Sequence, residues 1–507
     1  MKKIIYILLT GIVFIGLSSC KKFLNVTPID NLSGNNFWKS ENDVEAFTNA
    51  LYAKLRLKLT SEGNYLNNAA DLRCSNATVG NIPNMNAFIA NDIRVANLAN
   101  TTSNSVASTY FRRINNWKDW YDIIQNSNIM VQEVGNMDAG LISETKKKTY
   151  VAEAVFLRNL CYFYMVRLYG DIPYYTNAYN EKPLPRLDQV QVMKNAIADL
   201  MAVKNDLPVR YEDQSKNGNR AMRGGAIGLL MHMNMWASSF AKDDKKPYYE
   251  TTIALANELA TYTEYSLIKP FTIENNKKLF KGGTSEVLFE IISNTNYGEG
   301  IPYRAYSSGM FSHYPFKGNI SRTSSNGFFQ AAYMQKLFPQ GEPDLRRDVW
   351  LETYDLGTTA FQLKKYSNTF VTGTDFSIEN DDNMVIFRLP DMLLLAAEAA
   401  NNLSDDATAV NFANIVRDRA GKTPLNSTGT TLAYDIYLER TRELFLEGQY
   451  YYDLVRTRRI FPGGSLSEIK PSTTISPADF NNGAWTWSID AAALDNNPYM
   501  TLNNYWR

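Results

Sequence analysis

Three glutamates spaced four residues apart, Glu439, Glu443 and Glu447, are the residues whose types and spacing first suggest chemistry. Cleavage of a glycosidic bond needs two carboxyl groups that face each other across a cleft. Here the three lie on one face of a predicted helix and are interleaved with Arg440 and Arg442. A structural ion-pair network is therefore the better interpretation of this cluster.

No other motif for catalysis or metal binding stands out. The chain contains 2 His and lacks HExxH, CxxC, a G-x-S-x-G elbow and a Walker loop, and two His residues cannot complete an ordinary zinc site. His232 lies in an apolar run and is predicted to be a core residue. Small residues four apart, Gly224 and Gly228, indicate close helix packing rather than phosphate binding. We expect that the protein is not an enzyme and that it binds no cofactor and no metal, although a calcium ion bound in a loop remains an alternative.

Aromatic, amide and basic side chains are crowded into one loop-rich stretch between residues 294 and 316. Its aromatic rings and its histidine are Tyr297, Tyr303, Tyr306, Phe311, His313, Tyr314 and Phe316. Loop aromatics are costly to expose, so they either pack on a scaffold or form a binding surface. An aromatic ring suits the apolar C–H face of a sugar, while Asn, Arg and Tyr side chains suit its hydroxyl groups. Both interpretations remain open at this point.

Composition excludes several classes of protein. The 52 Lys and Arg balance the 52 Asp and Glu, which excludes a whole-chain basic field for nucleic acid and an acidic solvating tail. Hydrophobic residues make up 45%, which excludes wholesale disorder. Aromatic residues reach 13%, led by 31 Tyr. No nucleic-acid partner is expected.

The first twenty residues are predicted to be a lipoprotein signal. Two lysines precede an apolar run, residues 4–17, which is too short to span a bilayer but fits a secretory signal. It ends in Leu17-Ser18-Ser19-Cys20, which resembles a bacterial lipobox. We expect residues 1–19 to be removed, Cys20 to be lipidated and residues 20–36 to form a tether. The alternative is a plain secretory signal with an incidental cysteine.

Apolar periodicity predicts a mainly helical protein. The clearest helix is Lys146–Tyr169, whose apolar stripe runs at steps of three and four residues. Ser40 is the expected N-cap of a first helix. Short connections between helices indicate helix-turn-helix repeats. Cys161 in the clearest helix is predicted to be a small core residue, in preference to a disulfide with Cys74.

The predicted domain spans residues 37–507 and has two kinds of sequence. Helical segments cover about 37–58, 110–262 and 385–457, and the last of these includes one continuous helix over 432–457. Two irregular insertions, about 60–108 and 269–384, are dense in Asn, Ser, Thr and Gly. The expected architecture is a helical scaffold that carries two large irregular insertions.

Segments along the whole chain resemble the SusD/RagB family of outer-membrane nutrient-binding lipoproteins of Bacteroidetes. Any one segment is weakly specific, but their number and order are strongly so. After the lipobox they are Phe23-Leu24-Asn25-Val26-Thr27-Pro28, Asn36-Phe37-Trp38-Lys39-Ser40-Glu41, Ala152-Glu153-Ala154-Val155-Phe156-Leu157-Arg158, Arg167-Leu168-Tyr169-Gly170-Asp171-Ile172-Pro173, Asp344-Leu345-Arg346-Arg347, Arg388-Leu389-Pro390-Asp391, Ala397-Glu398-Ala399, Val416-Arg417-Asp418-Arg419-Ala420-Gly421, Glu439-Arg440, Glu443-Leu444, Glu447-Gly448, Asp453-Leu454-Val455-Arg456 and Asn497-Pro498.

The resemblance implies tetratricopeptide-like helix pairs with a large irregular, loop-rich subdomain laid over them. It also implies an outer-membrane, lipid-anchored protein at the cell surface, acting as a hinged lid on a SusC-like TonB-dependent transporter. Surface-exported members often carry acidic residues just after the lipidated cysteine, whereas Lys21 and Lys22 follow Cys20 here. The family motif residues are expected to be structural.

In this family the ligand, usually an oligosaccharide, binds in the irregular part. Ligand contacts vary among members, so the resemblance carries them over by region only. From the aromatic stretch we expect Tyr303, Tyr306 and Tyr314 to stack on sugar rings, with Asn296, Arg304 and His313 on hydroxyl groups. From the first insertion we add Arg73 and Asn76. Two alternatives remain, a peptide ligand on the same scaffold and, as a weaker one, a glycan-cleaving enzyme.

Overall fold

The computed structural model describes residues 37–61, 66–79, 85–93, 113–302, 305–311, 327–352, 362–372, 377–463, 468, 470–495 and 497–507. The predicted signal peptide, Cys20 and the tether lie outside these residues. None of the described helices combines the length and the apolar character needed to cross a membrane.

Helices form most of the described structure. In chain order they are α1 (Glu41–Thr60), α2 (Leu66–Leu72), α3 (Met85–Ile89), α4 (Lys118–Gly135), α5 (Glu144–Tyr169), α6 (Gln189–Val203), α7 (Arg223–Phe240), α8 (Lys246–Ala260), α9 (Ile273–Lys281), α10 (Ala331–Leu337), α11 (Leu345–Trp350), α12 (Leu389–Asn402), α13 (Asp406–Arg419), α14 (Gly429–Glu443), α15 (Tyr450–Arg456), α16 (Pro477–Asn481) and α17 (Ala492–Asp495). Consecutive helices from α4 to α8 pack in pairs, and α12 packs on α13 and α14. The tetratricopeptide-like helix-pair scaffold is thereby confirmed.

Local sequence explains where the principal helices begin and end. The Ser40 side chain accepts a hydrogen bond from the Asp43 N–H and so caps α1, as expected. Ser143 caps α5 in the same way, and Gly170 ends that helix with a φ of 74°. Helix α5 is buried along nearly its whole second half because other helices surround it.

The prediction of one continuous helix over 432–457 is wrong, because the structure has two helices in this segment, α14 and α15. Between them, Leu446 and Gly448 adopt left-handed conformations with φ of 61° and 75°. The Gly448 N–H then donates to the buried carboxylate of Asp71 at 2.9 Å. The break is stabilised by this tertiary bond, which the helical periodicity of the segment cannot reveal.

Short strands organise the second insertion, and one further strand, β1, belongs to the first. They are β1 (Ala77–Val79), β2 (Val287–Ile291), β3 (Gly327–Phe329), β4 (Leu351–Glu352), β5 (Gln362–Leu363), β6 (Thr369–Thr372), β7 (Ser377–Asn380) and β8 (Met384–Arg388). They pair antiparallel as β1 with β3, β2 with β8, β4 with β5 and β6 with β7. The pairing of β2 with β8 joins the two ends of the insertion directly above α7.

The glycines of α7 permit this close approach. A Cβ atom at Gly225 would lie 2.9 Å from the Leu288 carbonyl oxygen, and one at Gly228 would lie 3.3 Å from the Phe387 Cβ. The predicted packing role of these small residues is thus confirmed. On the same helix His232 is buried and its Nε2 lies 2.7 Å from an Asp391 carboxylate oxygen, as expected of a core histidine. Cys74 and Cys161 are both buried and free.

A network of buried arginines and glutamates joins the scaffold to the insertion. Glu443 at the end of α14 pairs with Arg346, Arg388 and Arg419, all at most 1% exposed. Arg388 also contacts Glu447 at 2.7 Å and Glu286, which precedes β2, at 3.1 Å. Although burial opposes ionisation, the three arginines hold the pKa of Glu443 well below its usual range. The predicted structural role of the glutamates of this segment is confirmed.

We expect Arg388→Met to lower the free energy of unfolding by about 3–5 kcal/mol, because it leaves buried carboxylates without their counter-charge. The matched control is Lys194→Met, which breaks the exposed pair Lys194–Asp243 and should leave the free energy of unfolding nearly unchanged. Both are measured by urea unfolding of the chain from Lys21 to Arg507, which keeps every described residue. Equal costs for the two variants would contradict the role given to the network.

Three buried carboxyl groups hold the irregular region to its surroundings without a full counter-charge. Burial raises the pKa of Asp71, Glu290 and Asp382 to about 7 each. Asp71 accepts the Ser307 hydroxyl at 2.5 Å and so joins α2 to the loop after residue 304. Asp382 accepts the N–H of Asn368 through both of its oxygens. These groups bind a proton more tightly in the folded than in the unfolded chain.

Between pH 4 and 7 each such group should therefore reduce the free energy of unfolding by about 1.4 kcal/mol per pH unit as pH rises. Burial lowers the pKa of His232, so this residue makes the free energy of unfolding rise with pH below pH 6.5. A variant of one carboxyl group therefore isolates the contribution of that group. In the wild type the free energy of unfolding falls from pH 5 to pH 7 in part because Asp71 loses its proton. We expect this fall to be about 2–3 kcal/mol smaller in Asp71→Asn, measured by urea unfolding at both pH values. An unchanged difference would contradict the raised pKa.

Candidate functional site

The most exposed large hydrophobic residue among the described residues is Tyr297, with 81% of its surface accessible. It ends a short 3₁₀ turn, Thr295–Tyr297, and is followed by Gly298 in a left-handed conformation. The side chain of Asn294 accepts the Asn296 N–H at 3.1 Å, and Asn294 forms a bridge to Glu299. We call residues 294–299 the Tyr297 turn.

Two side chains outside the turn fix its position. An Asp381 carboxylate oxygen accepts the Thr295 N–H at 3.1 Å and the Thr295 hydroxyl at 3.2 Å. Burial opposes ionisation of Asp381, but the bonds from Lys281 and Thr295 hold its pKa below the usual value. From α1, Arg56 donates to the carbonyls of Ile292 and Glu299 on either side of the turn.

The base of the turn is also closed by hydrogen bonds. The Ser293 hydroxyl donates to the Asn380 carbonyl at 2.6 Å and accepts the Ile301 N–H at 2.9 Å. The Ser293 N–H donates to the Asn383 side chain at 2.9 Å. A fully bonded base leaves the exposed tip, Asn296 and Tyr297, on a rigid support.

The structure places the expected ligand residues in different environments. Asn296 is exposed beside Tyr297, as a ligand contact requires. Tyr306 is only 4% exposed, donates its hydroxyl to the Asp382 carbonyl and packs on the Tyr366 ring. The expectation that Tyr306 offers a free ring for stacking is therefore wrong for this structure, since both of its faces and its hydroxyl are occupied by the protein core.

Arg73 also has a structural role, contrary to the expectation that it faces a ligand. It is fully buried, and its guanidinium donates to the carbonyls of Ala484, Trp485 and Thr486. The group also lies 4.4 Å from the centre of the Tyr451 ring. The buried guanidinium is therefore not accessible to a sugar hydroxyl.

Asn76 is 8% exposed, and its amide donates to the Lys470 carbonyl at 2.7 Å. Like Arg73, it connects the first insertion to the end of the chain. The remaining expected ligand residues, Tyr303, Arg304, His313 and Tyr314, lie outside the described residues, and so does Cys20. Their roles stay predictions.

The chemistry that this site offers is stacking plus hydrogen bonding. The exposed Tyr297 ring can cover the C–H face of a sugar, and the Asn296 amide beside it can both donate and accept. Within the described ranges no group of three His, Cys, Asp or Glu side chains could hold a metal ion. Residue type alone put Tyr297 in the aromatic stretch, but only the fold distinguishes its exposed ring from the buried Tyr306.

Comparison with known proteins covers almost the whole chain. A family model described as "SusD family" matches residues 303–506, and one described as "Starch-binding associating with outer membrane" matches residues 22–230. A curated SusD-like protein of Formosa agariphila is 24% identical over 488 residues, which is 86% of this chain and 87% of the relative.

Solved structures share the fold. A SusD homologue of Bacteroides thetaiotaomicron is 33% identical with a TM-score of 0.83, covering 93% of this chain and all of that one. The surface glycan-binding protein A of Bacteroides uniformis is 21% identical with a TM-score of 0.68, covering 92% of this chain and all of that one. On the family models and the 33% identical structure together, the chain belongs to the SusD/RagB family.

Proposed function

We propose that this chain is a non-catalytic lipoprotein that binds oligosaccharide at the cell surface and delivers it to a SusC-like TonB-dependent transporter. The single observation that carries the binding role is the exposed Tyr297 ring on a turn fixed by Asp381 and Arg56. The ring is 81% exposed and so gains little for folding, while its place on a rigid support leaves its face available to stack on a ligand. The family models and the glycan-binding neighbour support a sugar as that ligand.

Capture in this proposal is reversible and needs little rearrangement. Because hydrogen bonds already fix the turn, binding does not have to order it, and more of the contact energy goes into affinity. The sugar ring lies on Tyr297 while Asn296 bonds its hydroxyl groups. The proposal keeps Tyr303, Arg304, His313 and Tyr314 as predicted ligand contacts.

The proposed anchor explains how a soluble fold works at a membrane. A lipidated Cys20 would be joined to the first described residue, Phe37, by sixteen residues, which can extend to roughly 50–60 Å. In the proposal this segment is the tether, and the helical scaffold opens and closes over a transporter barrel above the bilayer. Delivery then requires only motion of the whole domain, with the binding turn kept rigid.

We expect the chain from Lys21 to Arg507 to bind at least one soluble polysaccharide in a panel of α-glucan, β-glucan, mannan, xylan and pectin. Isothermal titration calorimetry should show saturable binding, and a reducing-end assay of the same tubes should stay at baseline. New reducing ends would contradict the non-catalytic role. Binding of a peptide pool in preference to every glycan would contradict the ligand class and favour the peptide alternative.

Tyr297→Ala should weaken binding of the polysaccharide that the panel selects by about 1–3 kcal/mol, that is about 5- to 150-fold in Kd, by analogy with the stacking of nucleic-acid bases on aromatic side chains. The thermal midpoint should not change, because the ring has no packing role. The matched control is Tyr179→Ala, a ring 50% exposed on a different loop, which should bind as wild type. Equal affinities of wild type and Tyr297→Ala would place the ligand elsewhere.

A further inference from the structure

A second polar groove lies where the chain end crosses the scaffold, away from the Tyr297 turn. Its walls come from the turn after α5, the start of α6 and the segments 481–486 and 501–504. Two Asn-Asn pairs, Asn481-Asn482 and Asn503-Asn504, meet there. The groove shares no residue with the Tyr297 turn.

The groove is a built structure. Gly483 adopts a φ of 92°, and a Cβ atom there would lie 3.0 Å from the Asn503 Cβ. The two wall segments, 481–486 and 501–504, are therefore in direct contact. The Tyr505 N–H donates to the Asn482 carbonyl at 2.8 Å. The Asn503 amide donates to the Tyr169 carbonyl at 3.1 Å and to the Thr486 hydroxyl at 2.9 Å. Asn503 is therefore part of the support, and its neighbours are the free surface.

Several polar groups of the wall have no partner within the described part of the chain. The side chains of Asn481, Asn482 and Asn504 are exposed and make no hydrogen bond to described residues. The Nε of Arg186 is buried and unpartnered among the same residues, while its terminal nitrogen donates to Asn503. The remaining wall includes the edge of Trp485 and the side chain of Leu502.

A carboxylate and a guanidinium line this groove without pairing with each other. Among the described ion pairs there is none between Asp171 and Arg186, although both face the groove. One oxygen of Asp171 accepts the Gln189 N–H at 2.9 Å. The groove wall thus offers hydrogen-bond donors and acceptors, and the opposite charges of Asp171 and Arg186 cancel.

We infer that this groove is a second carbohydrate-binding site. A neutral polyhydroxyl ligand fits because each hydroxyl group can donate to Asp171 or an amide oxygen and accept from Arg186 or an amide nitrogen. An anionic or cationic ligand would be attracted by one of the two charged groups, Asp171 and Arg186, and repelled by the other. The half-buried Leu502 supplies an apolar contact for the C–H face of a sugar.

The site goes beyond the proposed function, which needs the Tyr297 turn alone. It takes from that proposal only the choice of sugars as probes. Two sites on one chain would let a long glycan contact both at once, so the apparent affinity for a polymer would exceed that for a short fragment.

Trp506 provides a local reporter, because its indole N–H donates at 3.1 Å to the Thr486 hydroxyl in the groove wall. The chain from Lys21 to Arg507 is labelled with ¹⁵N-tryptophan, and the Trp506 indole signal is assigned by Trp506→Phe. Maltoheptaose, cellohexaose and mannohexaose are the probes, each titrated to 20 mM. We expect the Trp506 signal to shift saturably with at least one probe.

The variant Asn482→Ala/Asn504→Ala should raise the Kd read from this signal at least tenfold, with an unchanged thermal midpoint. The control Asn42→Ala/Asn136→Ala, two exposed amides elsewhere, should behave as wild type. Tyr297→Ala should leave the Trp506 titration unchanged, which separates this site from the proposed one. A Trp506 signal that no probe moves, or that moves equally in the Asn482→Ala/Asn504→Ala variant, would overturn the second site.

Discussion

Burial of charge at the junction of α11, α13, α14, β2 and β8 is the constraint on which the rest of the structure depends. A guanidinium group removed from water needs carboxylates at hydrogen-bond distance, and a single missing partner leaves a large uncompensated cost. Arg346, Arg388 and Arg419 share Glu443, and each also contacts a second acid, Asp344 or Glu286. The helices and both ends of the second insertion therefore have only one arrangement in which all charges are paired.

The position of the Tyr297 turn follows from that arrangement. Glu286 belongs to the network and immediately precedes β2, which ends at Ile291, only a few residues before the turn. Strand β2 in turn lies on the glycines of α7, where no side chain intervenes. The exposed tip is thus connected to the most constrained part of the core by one short strand. The fixed position of the Tyr297 turn at the surface therefore depends on charge pairing in the interior.

Sequence patterns predicted those parts of the molecule that local physics determines. The apolar stripe of α5 and the Ser40 cap depend on neighbours within a few residues. The interleaved Arg440 and Arg442 indicate an ion-pair network around the glutamates, but the partners of Glu443 are Arg346, Arg388 and Arg419, which lie 24 to 97 residues away. The break at Leu446 and the burial of Arg73 depend on partners hundreds of residues away, so periodicity could not reveal them. Likewise Tyr306 and Tyr297 are the same residue type in the same loop-rich stretch, and only the tertiary contacts of Tyr306 with Asp382 and Tyr366 distinguish the buried ring from the exposed one.

The Arg73 clamp has a consequence for how the chain reaches its folded state. Its three acceptor carbonyls lie 411 to 413 residues further along the sequence, so the contact is among the most distant in the chain. While the protein is being synthesised, the Arg73 guanidinium stays hydrated until almost the last residues arrive. A chain that stops short of its final thirty residues therefore lacks all three carbonyl acceptors of the Arg73 clamp.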